Sequence, residues 1–149
     1  MAERIQFVSY WETVPGRKIP PYVALALGWT RHVLGDAFHL LTPGNIAKAI
    51  STEYQSKDWR FSALEFDAAA VATSVVAKSD YIRMAYVLEH GGVWLDADTI
   101  LFEHLSSAVF PLGLDDRLHW YNEALFGARA GNDLLRQATR LCLERVYQD

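Results

Sequence analysis

From Ala77 to Thr99 the chain reads AKSDYIRMAYVLEHGGVWLDADT, a helical pattern that passes directly into an apolar run. Gly91 and Gly92 end the helix, because glycine readily adopts the left-handed backbone conformation that closes a helix. The apolar residues that follow predict a buried strand over residues 93–96. A helix joined in this way to a buried strand favours an α/β fold.

Two carboxylates stand at the end of this predicted strand. Side chains alternate across a strand, so Asp96 and Asp98 are expected to project to one face together with Trp94, while Val93 and Leu95 face the core. Carboxylate oxygens are ligands of Mg²⁺ and Mn²⁺, whose other positions are taken by water and substrate phosphate. Without a cation the two charges repel each other. The pair therefore predicts a site for Mn²⁺ or Mg²⁺.

The preceding helix carries a second charged pair. Ser79 is expected to be the N-cap, which places Asp80 in the first turn and Arg83 on the same face, three residues later. A helix N-terminus attracts anions. By itself the pair would be read as a surface ion pair, but its position beside Asp96 and Asp98 favours a site for an anionic ligand.

This block resembles the sugar transferases that carry an Asp-x-Asp motif. That family includes capsular polysaccharide synthesis proteins and mannosyltransferase-like enzymes. The family pattern is matched at Ser79, Asp80, Arg83, Leu88, Gly91, Gly92, Trp94, Leu95, Asp96 and Asp98. The resemblance implies a GT-A-like, Rossmann-type α/β domain for a nucleotide-sugar, with a mixed central sheet flanked by helices.

The resemblance also implies an activity: metal-dependent transfer of a sugar from a nucleotide-sugar donor to a saccharide or other acceptor, with retention of configuration. In this reading Asp98 chiefly holds the cation, and Asp96 contacts it through water or contacts the nucleotide ribose. Arg83 assists catalysis by stabilising the leaving diphosphate. Asp80 orients hydroxyls of the donor sugar, and the resemblance implies that Gly92 also takes part in substrate binding.

Fainter resemblance extends to both sides of the block. An aromatic residue that ends the family's first strand packs on the nucleotide base, which implies that role for Trp11. A core aromatic at a strand end is an equally good reading of Trp11. Near the other end, Asn122 matches an asparagine that lies near the sugar in the family.

Strand and helix patterns alternate along the chain, as expected for an α/β domain. Strands are expected at residues 5–11, 38–41, near Arg60, and at 93–96, 100–102 and 118–126. Helix starts are expected at Thr42 with Pro43, at Ser62 with Glu65, and at Asn132. The loop over residues 15–21 contains Arg17 and Lys18, and is either a solvated connector or a phosphate contact.

Composition limits the classes of function. With 149 residues, 51% of them hydrophobic, the chain is expected to form one domain, 1–149. A net charge of -4 gives no electrostatic footprint for nucleic acid. No transmembrane segment or leader is recognised, and the single cysteine, Cys142, fits a reducing compartment, so a cytoplasmic location is expected. Peripheral membrane association stays open.

Three alternatives to a transferase remain. The first is a noncatalytic domain that binds a nucleotide-sugar or a partner. The second is a phosphatase of the haloacid dehalogenase type with Asp96 as nucleophile. That chemistry usually needs a later lysine, and all four lysines precede Asp98. The third is a structural role in which both aspartates cap a turn.

Length is the main departure from the family. Relatives usually continue well past the position of Val146, and the region beyond it supplies further donor contacts and most of the acceptor site. The chain is therefore expected to be short at its C-terminus relative to the family. It is a fragment, needs a partner, is inactive, or has a minimal acceptor site.

Overall fold

The computed structural model of the protein describes residues 4–13, 16–51, 71–102 and 113–146. The strands are β1 (Phe7–Tyr10), β2 (Phe38–Leu41), β3 (Gly92–Leu95), β4 (His119–Asn122) and β5 (Leu125–Ala128). The helices are α1 (Pro21–Leu34), a 3-10 turn (Gly35–Ala37), α2 (Ile46–Ala49), α3 (Val71–His90) and α4 (Asp133–Val146).

The five strands form one mixed sheet in the order β2-β1-β3-β5-β4. β1 pairs in parallel with β2 and with β3, whereas β5 pairs antiparallel with β3 and β4. Helices flank this sheet, so the predicted α/β class with a mixed central sheet is confirmed.

The core lies on both faces of the sheet because side chains alternate along each strand. Val8 and Trp94 pack with apolar side chains of α2, α3 and α4. Val93 and Leu95 point to the opposite face, where they pack with Phe7 and with apolar side chains of α1. A sheet covered on both faces is the reason that β1 and β3 are apolar at nearly every position.

The turn from α3 into β3 sets the position of the site. Gly91 has φ of 71°, and its amide donates to the Val87 carbonyl oxygen. A Cβ at Gly92 would lie 2.7 Å from the carbonyl oxygen of Gln6, so this position needs glycine for close packing against β1. The chain reverses there. Four strand residues rise about 13 Å and the helix from Arg83 to its end spans about 10 Å, which brings Arg83 level with the end of β3.

The prediction that Ser79 begins a helix is wrong. α3 is continuous from Val71 to His90, so Asp80 lies in its interior and the helix N-terminus contributes nothing at Asp80 or Arg83. Tertiary packing outweighs the capping preference of serine here. Lys78 and Tyr81, on either side of this position, are buried against the sheet side of the helix.

Two strand predictions need correction. Residues 100–102 are not a strand, because side chains of α1 bind this segment: the Trp29 indole donates to the Leu101 carbonyl oxygen at 2.5 Å. The run 118–126 is a hairpin of two strands rather than one strand, with its turn at residues 123–124. The run is apolar enough on both sides of the turn to look continuous.

The helix expected at Thr42 begins later, at Ile46, because the Asn45 side chain closes a turn. Its Oδ1 accepts from the Thr42 amide and its Nδ2 donates to the Leu40 carbonyl oxygen. The predicted cap at Asn132 is confirmed, since Asn132 Oδ1 accepts from the Leu135 amide at 3.0 Å.

The expectations near Arg60 and at Ser62 with Glu65 lie outside the described residues. Among the helices in the described part of the chain, none is both long and apolar enough to span a membrane.

Candidate functional site

A cavity of about 450 Å³ opens where the carboxyl ends of β1 and β3 meet. Parallel strands place their carboxyl ends at one edge of a sheet, and ligands of α/β proteins commonly bind outside that edge. Its polar lining residues are Glu12, Thr13, Arg17, Lys18, Ser79, Asp80, Arg83, Asp96 and Asp98. Its aromatic lining residues are Tyr10, Trp11, Tyr22 and Trp94. The volume lies within the range of pockets for small molecules and cofactors.

Asp96 follows β3 directly and is half-buried. Its amide donates to the Ala124 carbonyl oxygen, and its Oδ1 accepts from the Trp94 indole at 2.7 Å. Burial raises the pKa of the Asp96 carboxyl, and the charges of Asp98 and Asp80 raise it further. The Trp94 hydrogen bond and the Arg83 charge lower this pKa. Asp96 is thus a carboxylate in a setting that disfavours its charge, and a bound cation would relieve that cost.

Asp98 lies in a turn rather than in the strand, which ends at Leu95. The turn is closed by its backbone, since the Thr99 amide donates to the Asp96 carbonyl oxygen at 2.9 Å. The Asp98 side chain is exposed and makes no hydrogen bond or ion pair with any described residue. The interpretation that both aspartates cap a turn is therefore wrong: no side-chain oxygen of either residue accepts from a described backbone amide.

Arg83 connects α3 to the hairpin beside the two aspartates. One guanidinium nitrogen lies 3.0 Å from Asp80 Oδ1, and another donates to the Glu123 carbonyl oxygen at 2.9 Å. The Arg83 side chain is 14% exposed and the Asp80 side chain is 43% exposed. The predicted ion pair between Asp80 and Arg83 therefore forms at the wall of the cavity. Its two contacts fix the orientation of the Arg83 guanidinium.

The carboxylates of this site fit a divalent cation that takes most of its ligands from water and phosphate. Asp96 and Asp98 both line the cavity, and carboxylate oxygen suits Mg²⁺ and Mn²⁺. In the four described ranges no group of three or more His, Cys, Asp or Glu side chains is arranged to hold a metal. A Mg²⁺ ion usually has only one or two protein carboxylates as ligands beside a substrate phosphate.

Trp11 follows β1 and contacts both the core and the cavity. Its ring packs partly against the core on the α1 face, and it also lines the cavity. Its amide donates to the Leu41 carbonyl oxygen, and its indole donates to the Thr13 hydroxyl at 3.1 Å. An aromatic surface therefore stands at the β1 side of the cavity.

Gly92 and Asn122 do not line this cavity. Gly92 begins β3 and so lies at the opposite end of that strand from Asp96. Asn122 ends β4, is exposed, and pairs with Leu125 near the hairpin turn. Of the sequence-predicted residues, the structure brings together Trp11, Asp80, Arg83, Asp96 and Asp98.

A buried ion pair beneath the cavity was missed from the sequence. Lys78 Nζ lies 2.6 Å from Glu12 Oε2, and the Lys78 side chain is fully buried. The Tyr10 hydroxyl donates to the same oxygen at 2.6 Å, while Lys78 Nζ lies 5.7 Å from the centre of the Tyr10 ring. Burial and the Glu12 hydrogen bond raise the pKa of Tyr10, which keeps its hydroxyl a donor. The feature of the sequence that could have indicated this ion pair is a lysine on the apolar face of α3.

The loop that contains Arg17 and Lys18 reaches the cavity. Both side chains are exposed. From the sequence, this loop was either a solvated connector or a phosphate contact. In the structure it adds two cationic side chains to the cavity wall.

A comparison with known protein families matches the part of the chain that carries the two aspartates. A family model described as the glycosyltransferase sugar-binding region containing DXD motif matches residues 30–119, which is more than half of the chain. Neither a comparison with curated proteins nor one with solved structures gave a significant match. The matched region contains Asp80, Arg83, Asp96 and Asp98, whereas Trp11 and Asn122 lie outside it. The chain belongs to this family of DXD-motif glycosyltransferases.

Proposed function

We propose that this member of the DXD-motif glycosyltransferase family binds a nucleotide-sugar in the cavity at the ends of β1 and β3 and transfers its sugar. The observation that carries the proposal is that Asp96, Asp98 and Arg83 line the same cavity as Trp11. The family supports a glycosyltransferase activity. The donor, the metal and the acceptor are proposals.

The two aspartates are proposed to hold Mn²⁺ or Mg²⁺. Asp98 is exposed and has no bond to a described residue, so its oxygens can be donated to a cation without loss of another contact. Asp96 has one oxygen bound to the Trp94 indole, which leaves the other for a metal-bound water or the nucleotide ribose. When bound, the cation supplies positive charge to the diphosphate and acts as a Lewis acid on the leaving group.

Charge on the cavity wall supports the need for that cation. Among the described residues, the carboxylates of Asp80, Asp96 and Asp98 line the cavity against the cationic side chains of Arg17, Lys18 and Arg83, and the Glu12 carboxylate is paired with the buried Lys78. A diphosphate would add further negative charge. The protein cations alone cannot balance it, so binding is expected to depend on divalent metal.

The reaction itself breaks the bond between the sugar and the diphosphate, and the electron pair leaves with the diphosphate oxygen. Arg83 is oriented by Asp80 and by the Glu123 carbonyl, so its positive charge is in place before the leaving group develops negative charge. Asp80 is proposed to accept hydrogen bonds from hydroxyls of the donor sugar. The acceptor hydroxyl of a saccharide or similar molecule then forms the new bond to the sugar, and its proton passes to the departing diphosphate oxygen.

Trp11 is proposed to pack on the nucleotide base. It lines the cavity at the end of β1, the strand that pairs with β3, and the carboxylates that follow β3 line the same cavity. Stacking of a base on an aromatic side chain is worth about 1–3 kcal/mol and needs no particular base. The nucleotide would then lie across the carboxyl edge of the sheet.

The test is turnover of nucleotide-sugars. UDP-glucose, UDP-galactose and GDP-mannose would each be incubated with the protein and Mn²⁺, with and without a saccharide acceptor, and the released UDP or GDP measured. The proposal expects release that stops with EDTA and that an Asp36→Asn control, on the exposed 3-10 turn, retains. Binding of a donor without release would favour the noncatalytic domain. Hydrolysis of a simple phosphomonoester would favour the phosphatase.

A further inference from the structure

We propose that Glu12 is a substrate-binding residue whose second carboxylate oxygen accepts a hydrogen bond from a ribose hydroxyl of the nucleotide, and that Lys78 and Tyr10 are its positioning residues. This inference rests on the proposed function, because it assigns a part of the nucleotide to the same cavity.

The two carboxylate oxygens of Glu12 have different surroundings. Oε2 accepts from both Lys78 Nζ and the Tyr10 hydroxyl, each at 2.6 Å. Among the described residues nothing donates to Oε1. Glu12 lines the cavity, and its side chain remains 16% exposed while that of Lys78 is fully buried. One oxygen is thus held by the protein, and the other is left for the cavity.

The Lys78 ammonium also changes what Glu12 presents to a ligand. A carboxylate alone would repel a diphosphate bound nearby. The Lys78 ammonium, 2.6 Å away, offsets the charge of Glu12, which still accepts hydrogen bonds. Such a group is suited to a neutral hydroxyl beside a charged diphosphate.

The position of Glu12 points to the ribose. Glu12 follows Trp11 in the chain, and both line the cavity at the end of β1. In a nucleotide the hydroxyls nearest the base are those of the ribose at 2′ and 3′. A base that packs on Trp11 would place the ribose in the same cavity as Glu12, and the diphosphate would extend toward Asp96, Asp98 and Arg83.

The experiment measures discrimination between a ribose and a deoxyribose. UDP, GDP, CDP and ADP are titrated calorimetrically with Mn²⁺, and the tightest of them is compared with its 2′-deoxy and 3′-deoxy analogues. The wild type is expected to bind the ribonucleotide about tenfold more tightly than one analogue. Equal binding of all three would overturn the inference. No binding of any nucleotide would instead overturn the proposed function.

Two variants locate that discrimination. Glu12→Leu with Lys78→Met removes the acceptor and its buried partner together, at similar volume, and is expected to bind the ribonucleotide and both analogues alike. Glu12→Asp keeps the charge for Lys78 but withdraws the carboxylate, and is expected to reduce the tenfold preference. Glu89→Gln, in α3 and outside the cavity, is the matched control and should keep the full preference.

A merely structural ion pair predicts a different pattern. The variants would then weaken all three nucleotides by the same factor, and the preference for the ribonucleotide would persist. Retention of the preference in the double variant overturns the inference. If the double variant does not fold, Glu12→Asp decides: an unchanged preference overturns the inference, and a reduced one supports it.

Discussion

The carboxylates at the two ends of the cavity differ in how many protein groups bind them. At the β3 end, Asp98 makes no bond to a described residue and Asp96 is half-buried among like charges. At the β1 end, the Glu12 carboxylate is bound by a buried ammonium and a phenol. Asp96 and Asp98 therefore have fewer protein partners than Glu12, one oxygen of which accepts from two described residues. Carboxylate oxygens without a protein partner are free for a cation, whereas a carboxylate paired with an ammonium can accept a hydrogen bond with its charge offset.

The largest effect should come from the β3 end. Asp98→Asn removes the exposed carboxylate that is proposed to hold the cation, and is expected to lower turnover of the nucleotide-sugar at least 100-fold. The thermal midpoint should change by little, because no described group loses a contact. Turnover assays and a thermal melt measure the two quantities. Wild-type turnover in this variant would contradict the role of Asp98.

The β1 end should instead respond in stability. Glu12→Gln removes the negative charge that lies 2.6 Å from the buried Lys78 ammonium, and is expected to lower the free energy of unfolding by about 3 kcal/mol. Replacing both residues, Glu12→Leu with Lys78→Met, should restore most of that loss. Denaturant unfolding of the three proteins measures it. A single variant as stable as the wild type would show that the pair has no such importance.

A smaller effect is expected at Arg83. Arg83→Met removes the cation that faces the diphosphate and its bond to the Glu123 carbonyl. Binding of UDP should weaken about tenfold, while binding of uridine should change little because uridine has no phosphate. Equal weakening of both ligands would mean that Arg83 acts through the fold of the hairpin instead.

The smallest predicted effect is a change in melting temperature whose sign differs between the two ends of the cavity. Asp96→Asn removes a charge that burial disfavours and retains an oxygen for the Trp94 indole, so the metal-free protein should melt at a slightly higher temperature. The corresponding amide substitution at Glu12 lowers it. A lower melting temperature for Asp96→Asn would show that its charge is stabilising.

The β3 end was the more predictable from sequence. Asp96, Asp98, Asp80 and Arg83 lie within one short stretch, so a motif and local periodicity suffice to group them. Even there the local geometry differed: Asp98 lies in a turn, and α3 continues through Ser79. Buried contacts of the neighbouring Lys78 outweigh the capping preference of serine, and periodicity does not report them.

The β1 end could not be assembled from sequence. Glu12 and Lys78 are far apart in the chain, and only the parallel pairing of β1 with β3 places α3 over the end of β1. Trp11 was recognised by its strand end, but Glu12 beside it gave no local signal. The sheet order that joins these segments depends on long-range packing.

The most direct measurement is the binding of UDP and GDP with and without Mn²⁺, by calorimetry, in the wild type and in the variant Asp96→Asn with Asp98→Asn. We expect binding that requires Mn²⁺ in the wild type and is lost in the folded variant. Binding that is equally tight without the metal, or that the variant retains, would contradict the account of the β3 end.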